Sequence, residues 1–223
     1  MSYLKVVWRI IHKDMVLEWR QKSYFVSILL LGLLLVWISS MALESVSLRE
    51  KGAGLIWVIF LSISGLCNYQ LLHKELKNGA WTGLLYAPVD TSAIFFGKWL
   101  CHFSLILFVK FILIPVYLIL FDLPVASPFL FALTLFLGSS GYTLVSTFLS
   151  SLTLRSTRGA VLLPVLQLPL LVPLFLAAVS LTEQAIYGVN QWPWQWLALL
   201  ILYNLIFVII PWVLFPFVLE VER

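Results

Sequence analysis

Charged side chains are scarce in this sequence. Lys, Arg, Asp and Glu make up 11% of its 223 residues, against about 25% in a soluble domain. Water is therefore not the main solvent of its surface. Cysteine is scarcer still: Cys67 and Cys101 stand apart, with no C-x-x-C spacing. That excludes a disulfide framework and a structural zinc site, and both cysteines fall near the expected cytosolic, reducing ends of their spans. The phosphate-binding pattern G-x-x-x-x-G-K-[ST] is absent, because Gly97-Lys98 is followed by Trp99 without a glycine-rich lead. H-E-x-x-H and G-x-S-x-G are absent too. With no paired histidine and carboxylate and no activated nucleophile, no catalytic residue is expected. Any ATP used must be bound by another chain. A cleavable leader is not expected either. About two dozen residues precede the first apolar run, whereas a signal peptide places its apolar stretch earlier, and they include Lys5, Arg9, Lys13, Asp14, Glu18, Arg20 and Lys22.

What fills the sequence is apolar. Hydrophobic residues account for 62% and the mean hydropathy is +1.03. A span needs about 20 apolar residues to cross the hydrocarbon core. Six stretches qualify, at roughly 24–43, 53–72, 95–121, 127–152, 160–182 and 196–219. In lipid every backbone polar group must be paired internally, so these are expected to be helices. No alternating short strands point to a β-barrel. Residues 1–23 form a separate amphipathic element. Leu4, Trp8, Ile11, Met15 and Trp19 recur at helical spacing and most charges lie opposite, which predicts an interfacial helix. It serves either as an anchor or as a contact for a cytosolic partner.

The net charge of +4 is read as loop bias, not as affinity for nucleic acid. With the N-terminus inside, 11 Lys and Arg fall on inner segments and only Arg49 and Lys51 on outer ones. Both termini are therefore expected in the cytosol. The last outer loop, 183–195, lacks Lys and Arg, and Trp192, Trp194 and Trp196 around Pro193 fit an aromatic belt.

The inner loop 73–94 carries the next candidates. Lys74 to Leu85 can form a short amphipathic helix with Glu75 and Lys77 exposed. Gly79 weakens it and Pro88 ends it. Asp90-Thr91-Ser92 then supplies N-cap chemistry for the following helix. The segment suits docking into a soluble partner, with an ordinary interfacial loop as the alternative.

Lys110 lies 12 residues beyond Lys98, about 18 Å along a helix and so near mid-bilayer. A lysine there costs around 2.5–3.5 kcal/mol on insertion scales, so it must face the bundle, a subunit interface or a wet cavity. It is either a pathway residue meeting an anionic group or a structurally paired lysine. His102 shares a helix face with Lys98. His12, His73 and His102 each have an imidazole able to ligate haem iron. None has a second histidine nearby, and a satisfied or surface histidine is the simpler reading of each. Ser139, Thr143, Thr147 and Ser151 form a small-xxx-small row suited to close helix packing. Pro164, Pro169 and Pro173, with Gln167 among them, predict a bent fifth span. Its freed carbonyls either line a cavity or find donors on neighbouring helices.

The stretch Gly54–Val58, then Glu75, Gly79-Ala80, Gly83-Leu84-Leu85, Ala87-Pro88-Val89-Asp90, Ser92-Ala93-Ile94 and Gly97-Lys98 resembles the haem exporter permease family, cytochrome c maturation protein B. The stretch Leu149 to Pro173 and the N-terminal His12-Lys13-Asp14, Glu18 and Arg20 are similar to that family as well. The resemblance covers nearly the whole chain. Gln70 and Trp81-Thr82 depart from the family pattern.

The resemblance implies an all-α membrane protein: an N-terminal interfacial helix and six transmembrane helices over 24–223, in an ABC-2-type exporter permease architecture. It implies an inner-membrane complex with two ABC ATPase subunits, a second permease copy, a haem-handling membrane protein, a small single-span subunit and a periplasmic haem chaperone. Haem would be handled, not held covalently. Glu75, Gly79, Gly83, Pro88 and Asp90 would couple to the ATPase. Lys98, His102, Lys110 and Gln167 would be translocation or interface residues. The alternatives are a related permease for a polysaccharide, lipid or drug, and a membrane scaffold that transports nothing.

Overall fold

In the computed structural model the described residues are 3–20, 22–42, 48–77, 90–153, 159–188 and 192–220; within them the side chains of 4, 18–20, 22–24, 48–51, 68–77, 153, 159–162 and 216–220 fall outside the description. Seven helices occupy the described residues: α1 (Tyr3–Arg20), α2 (Lys22–Ala42), α3 (Leu48–Lys77), α4 (Thr91–Leu120), α5 (Pro128–Thr153), α6 (Gly159–Tyr187) and α7 (Trp194–Glu220). Five of them, α2 and α4 to α7, are long and apolar enough to cross a membrane. The chain is an all-α, multi-pass membrane protein.

The expected span 53–72 falls on α3, whose described side chains within that range form the apolar stretch Gly52–Cys67; the side chains of 68–72 lie outside the description. The helix also runs on to Lys77. Lys74 and Glu75 thus belong to α3 and do not begin a separate short helix.

Helix α5 is the innermost element. It packs most extensively on α6 and also touches α3, α4 and α7. Its sequence explains this, since small and hydroxyl side chains let neighbouring backbones approach. Gly138 shows how closely: a Cβ there would collide with the Trp57 ring of α3. The outer faces of the bundle are apolar, with Leu30 and Leu34 on α2, Phe111 and Ile119 on α4 and Ile209 on α7 all exposed. Lipid tails can solvate such faces and water cannot.

Helix α6 runs through Pro164, Pro169 and Pro173. Proline withdraws a donor and disturbs the turn before it. Near Pro173, the Leu170 carbonyl accepts a hydrogen bond from Tyr203 of α7 at 2.9 Å, which ties the two helices together.

Helix α1 lies against the start of α4. Val6, Val7 and Ile10 form a buried cluster with Ala93 and Ile94. Trp8 itself is 68% exposed; Ile11 of its stripe packs at the edge of the cluster, whose centre lies roughly a third of a turn from the stripe on a helical wheel. Gly97 makes the contact possible, since a Cβ there would lie 2.8 Å from Ile10 Cγ2 and 2.9 Å from its Cβ. Gly97→Val is therefore expected to lift α1 off α4. Limited proteolysis should then cut within residues 1–23 several-fold faster than in wild type, and an unchanged cutting rate would refute the contact.

Candidate functional site

Lys110 is the most unusual group in the bundle. It projects from the middle of α4 and is only 4% exposed. Its ammonium donates to Ser139 Oγ of α5 at 2.7 Å. It also sits over two rings of α3, 4.8 Å from the Trp57 centroid and 4.4 Å from that of Phe60. Both distances are within cation–π range. Among the described residues, no carboxylate lies within ion-pair distance of it.

Its partners are themselves held in place. Ser139 donates its hydroxyl proton to the Leu135 carbonyl at 2.5 Å, which leaves its oxygen lone pairs for Lys110. Trp57 Nε1 donates to Thr182 Oγ1 of α6 at 2.9 Å, and Thr182 donates to the Ala178 carbonyl at 2.7 Å. The Trp57 ring meets Phe60 and Phe175 edge-on, each centroid 6.1 Å away. Four helices, α3 to α6, thus converge around one cation.

The small-polar row on α5 extends the site toward the α1 end. Ser139, Thr143, Thr147 and Ser151 are all buried. Thr143 donates to backbone carbonyls of its own helix and accepts from Trp99 Nε1 of α4 at 3.0 Å. Thr147 Oγ1 lies 3.2 Å from His102 Nδ1. The Lys110–Ser139 and His102–Thr147 pairs are eight residues apart on each helix, marking an antiparallel α4–α5 register. Hydroxyls that bond their own backbone and still accept from a neighbour do more than leave space for packing. His102 Nε2 is buried without a hydrogen-bond partner among the described residues.

The other expected site residues are dispersed. Lys98 pairs with Asp14 of α1 at 3.8 Å, which ties α1 to α4. Gln167 is buried on α6, within hydrogen-bonding reach of Tyr142 on α5. Asp90 occupies the N-cap position of α4, but its side chain makes no capping hydrogen bond and is exposed. Its carbonyl accepts from the Ala93 amide at 3.1 Å. Glu75 lies on α3, its side chain outside the described residues, as Gly79, Gly83 and Pro88 are altogether. His12 is exposed, and the side chain of His73 is outside the description. Cys67 and Cys101 are buried and not joined to each other. Among the described residues, no group of three metal-ligating side chains occurs.

Sequence reading passed over Trp57, Trp99, Thr182 and Asn204. Tryptophan favours the two membrane interfaces, so a tryptophan deep within a helix marks a buried partner for its N–H. At Trp57 and Trp99 that signal was absent, because each stands only five positions into its expected span, at interface depth. Asn204, in the middle of α7, did carry a signal, since an intramembrane amide needs partners. It donates to the Leu137 carbonyl at 3.1 Å and to that of Leu200 at 2.8 Å.

The family model described as CcmB protein matches residues 5–221. The chain belongs to the CcmB protein family. Two relatives, both named heme exporter protein B, align with it. The one from Rhodobacter capsulatus is 26% identical over 141 residues, covering 63% of this chain and 65% of the relative. The one from Pseudomonas aeruginosa is 24% identical over 145 residues, covering 65% of each. In both cases the aligned part is just under two thirds of the relative's length. The Lys110 site therefore sits in the bundle of a CcmB-family membrane protein.

Proposed function

We propose that this chain is the membrane subunit of an ATP-driven complex that handles haem for export in cytochrome c maturation. The observation that carries this reading is the CcmB family match over residues 5–221, together with two relatives named heme exporter protein B. The chain itself is non-catalytic on this reading. Hydrolysis belongs to a separate ABC ATPase, present in two copies beside two copies of this subunit. A haem-handling membrane protein, a single-span subunit and a periplasmic haem chaperone complete the assembly. The complex lies in the inner membrane with both termini of this chain in the cytosol, as the Lys and Arg distribution supports.

The packing suggests how force would enter. The segment 78–89 connects α3 to α4, and α1 rests on the first turns of α4 through Ile10, Ala93, Ile94 and the Asp14–Lys98 pair. A push from an ATPase on Glu75 to Asp90, or on α1, would be passed to α4. Further along, α4 carries His102 and Lys110, each bonded to α5. The ATPase would bias the bundle between two arrangements only through contacts that differ between them.

The test is co-purification in mild detergent with the ATPase encoded beside this gene, with mature cytochrome c measured in the same strains. Glu75→Ala and Gly79→Pro are expected to release or uncouple the ATPase and to reduce mature cytochrome c at least about ten-fold. If no ATPase co-purifies with wild type and deleting the gene leaves cytochrome c unchanged, the reading is wrong.

A further inference from the structure

Helix α1 has three faces. Val6, Val7 and Ile10 are buried against the start of α4. At about 100° per residue, Ile11, Met15 and Trp8 come next around the helix; the first two are half-buried and Trp8 is exposed. The remaining arc, roughly 100° wide by the same spacing, carries Lys5, Arg9, His12 and Lys13 with Val16, all exposed. Among the described side chains of α1, the acid is Asp14, which lies on the packed side. It meets Lys13 at 3.1 Å and Lys98 at 3.8 Å. One carboxylate thus serves two lysines, and the outward arc keeps its positive charge. The depth of this arc follows from α4. That helix runs 30 residues, Thr91–Leu120, or about 45 Å, against a hydrocarbon core of about 30 Å. It overruns the core, and the Asp14–Lys98 pair marks the end that lies among the headgroups. Ala93, Ile94 and Gly97, on which α1 rests, belong to the first two turns of that end.

We propose that the outward arc of α1, with Lys5, Arg9 and Lys13 beside Trp8, is a docking surface for the anionic phospholipid headgroups of the leaflet in which it lies. Charge complementarity selects the occupant. Basic side chains at headgroup depth attract anionic lipids, at about five-fold per residue. Trp8 selects a lipid surface over an acidic protein. Its indole stands exposed between the apolar residues Ile11 and Met15 and the basic arc, an order that matches the passage from acyl chains to phosphates. The two sides of α1 then have different partners. Gly97 admits the helix to α4 on one side, and lipid phosphates accept from Lys5, Arg9 and Lys13 on the other. The lipid thereby holds α1 down on the start of α4. This inference is independent of the haem-handling reading.

The experiment measures amide hydrogen exchange of the full chain in two kinds of nanodisc, one of phosphatidylcholine alone and one of equal parts phosphatidylcholine and phosphatidylglycerol. Lipid that binds docked α1 better than detached α1 slows its exchange by linkage. Wild-type α1 is expected to exchange at least about ten-fold more slowly with phosphatidylglycerol present, and high salt should narrow the difference. Exchange in α5 should be the same in both discs and in every variant, which shows that the bundle is folded. In Lys5→Gln/Arg9→Gln/Lys13→Gln the effect of phosphatidylglycerol on α1 should shrink to within about two-fold, since the attraction scales with the number of basic residues. Lys5→Arg/Arg9→Lys/Lys13→Arg should keep the effect, because the charge is unchanged. Equal exchange of wild-type α1 in the two discs overturns the proposal, and so does a lipid effect that survives in the folded glutamine variant. If added ATPase slows α1 in phosphatidylcholine while phosphatidylglycerol does not, the face belongs to a protein partner and the proposal fails.

Discussion

Lys110→Met is expected to make the protein more stable and less active. The native lysine keeps a cation buried among apolar side chains, 4% exposed, with one hydroxyl and two rings for company. Methionine follows nearly the same path with no charge to desolvate. The loss is one charge-assisted hydrogen bond and two cation–π contacts; the gain is relief of an unpaired buried charge. Replacing buried ionic groups by apolar ones of similar volume often stabilises by about 1–4 kcal/mol. Ser139 is not orphaned by the change, because its proton already goes to Leu135. Thermal unfolding in detergent should show a higher midpoint, while mature cytochrome c in the complemented strain falls. A lower midpoint would mean that the lysine is a structural clasp holding α4 to α5 and α3. The combination of higher stability with lost function is expected where a costly group is kept for function.

Gly138→Ala should have the largest effect on folding. An added Cβ meets the Trp57 ring closer than any real contact allows, and the three nearest atoms all belong to that rigid ring. The ring has little freedom to retreat. Its Nε1 is bonded to Thr182, and Phe60 and Phe175 close two other sides. Overpacking a tight core costs about 1–3 kcal/mol, occasionally more. Here the upper end is expected, with loss of folded protein on extraction. Trp57→Leu alone should also destabilise, by cavity formation. In the double variant Trp57→Leu/Gly138→Ala the two costs should not add, because the smaller side chain makes room for the methyl group. A double-mutant cycle on unfolding midpoints measures this. Simple additivity would show that Trp57 and Gly138 do not touch in the folded protein.

Both predictions turn on contacts that composition and periodicity cannot supply. The sequence alone settled the class. Scarce charge and long apolar runs require helices in lipid, because only a helix pairs its own backbone there. It also singled out Lys110, since a lysine 15 residues into the expected span 95–121 has to be covered by something. It did not settle what covers it. In water, the apolar stripe of a helix identifies its buried face. In this bundle α2, α4, α6 and α7 are apolar on nearly every side, so hydropathy cannot separate a lipid face from a packed one. Ser139, Trp57 and Phe60 meet Lys110 only because α3, α4 and α5 cross where they do.

The same reason accounts for the differences elsewhere. On α1 the Trp8 stripe reads as an interfacial face; that Val6, Val7 and Ile10, with Ile11 of the stripe at the edge, pack on α4 was not legible. The deciding feature was space beside Gly97 on another helix. Lys98 was legible as a charge near the start of a span. That it pairs with Asp14 required α1 to lie beside α4. Local chemistry along one chain segment determined the medium, the helices and the need for partners. The choice of partners belonged to the tertiary structure, because in lipid close packing between helices selects the contacts and the hydrophobic effect no longer does.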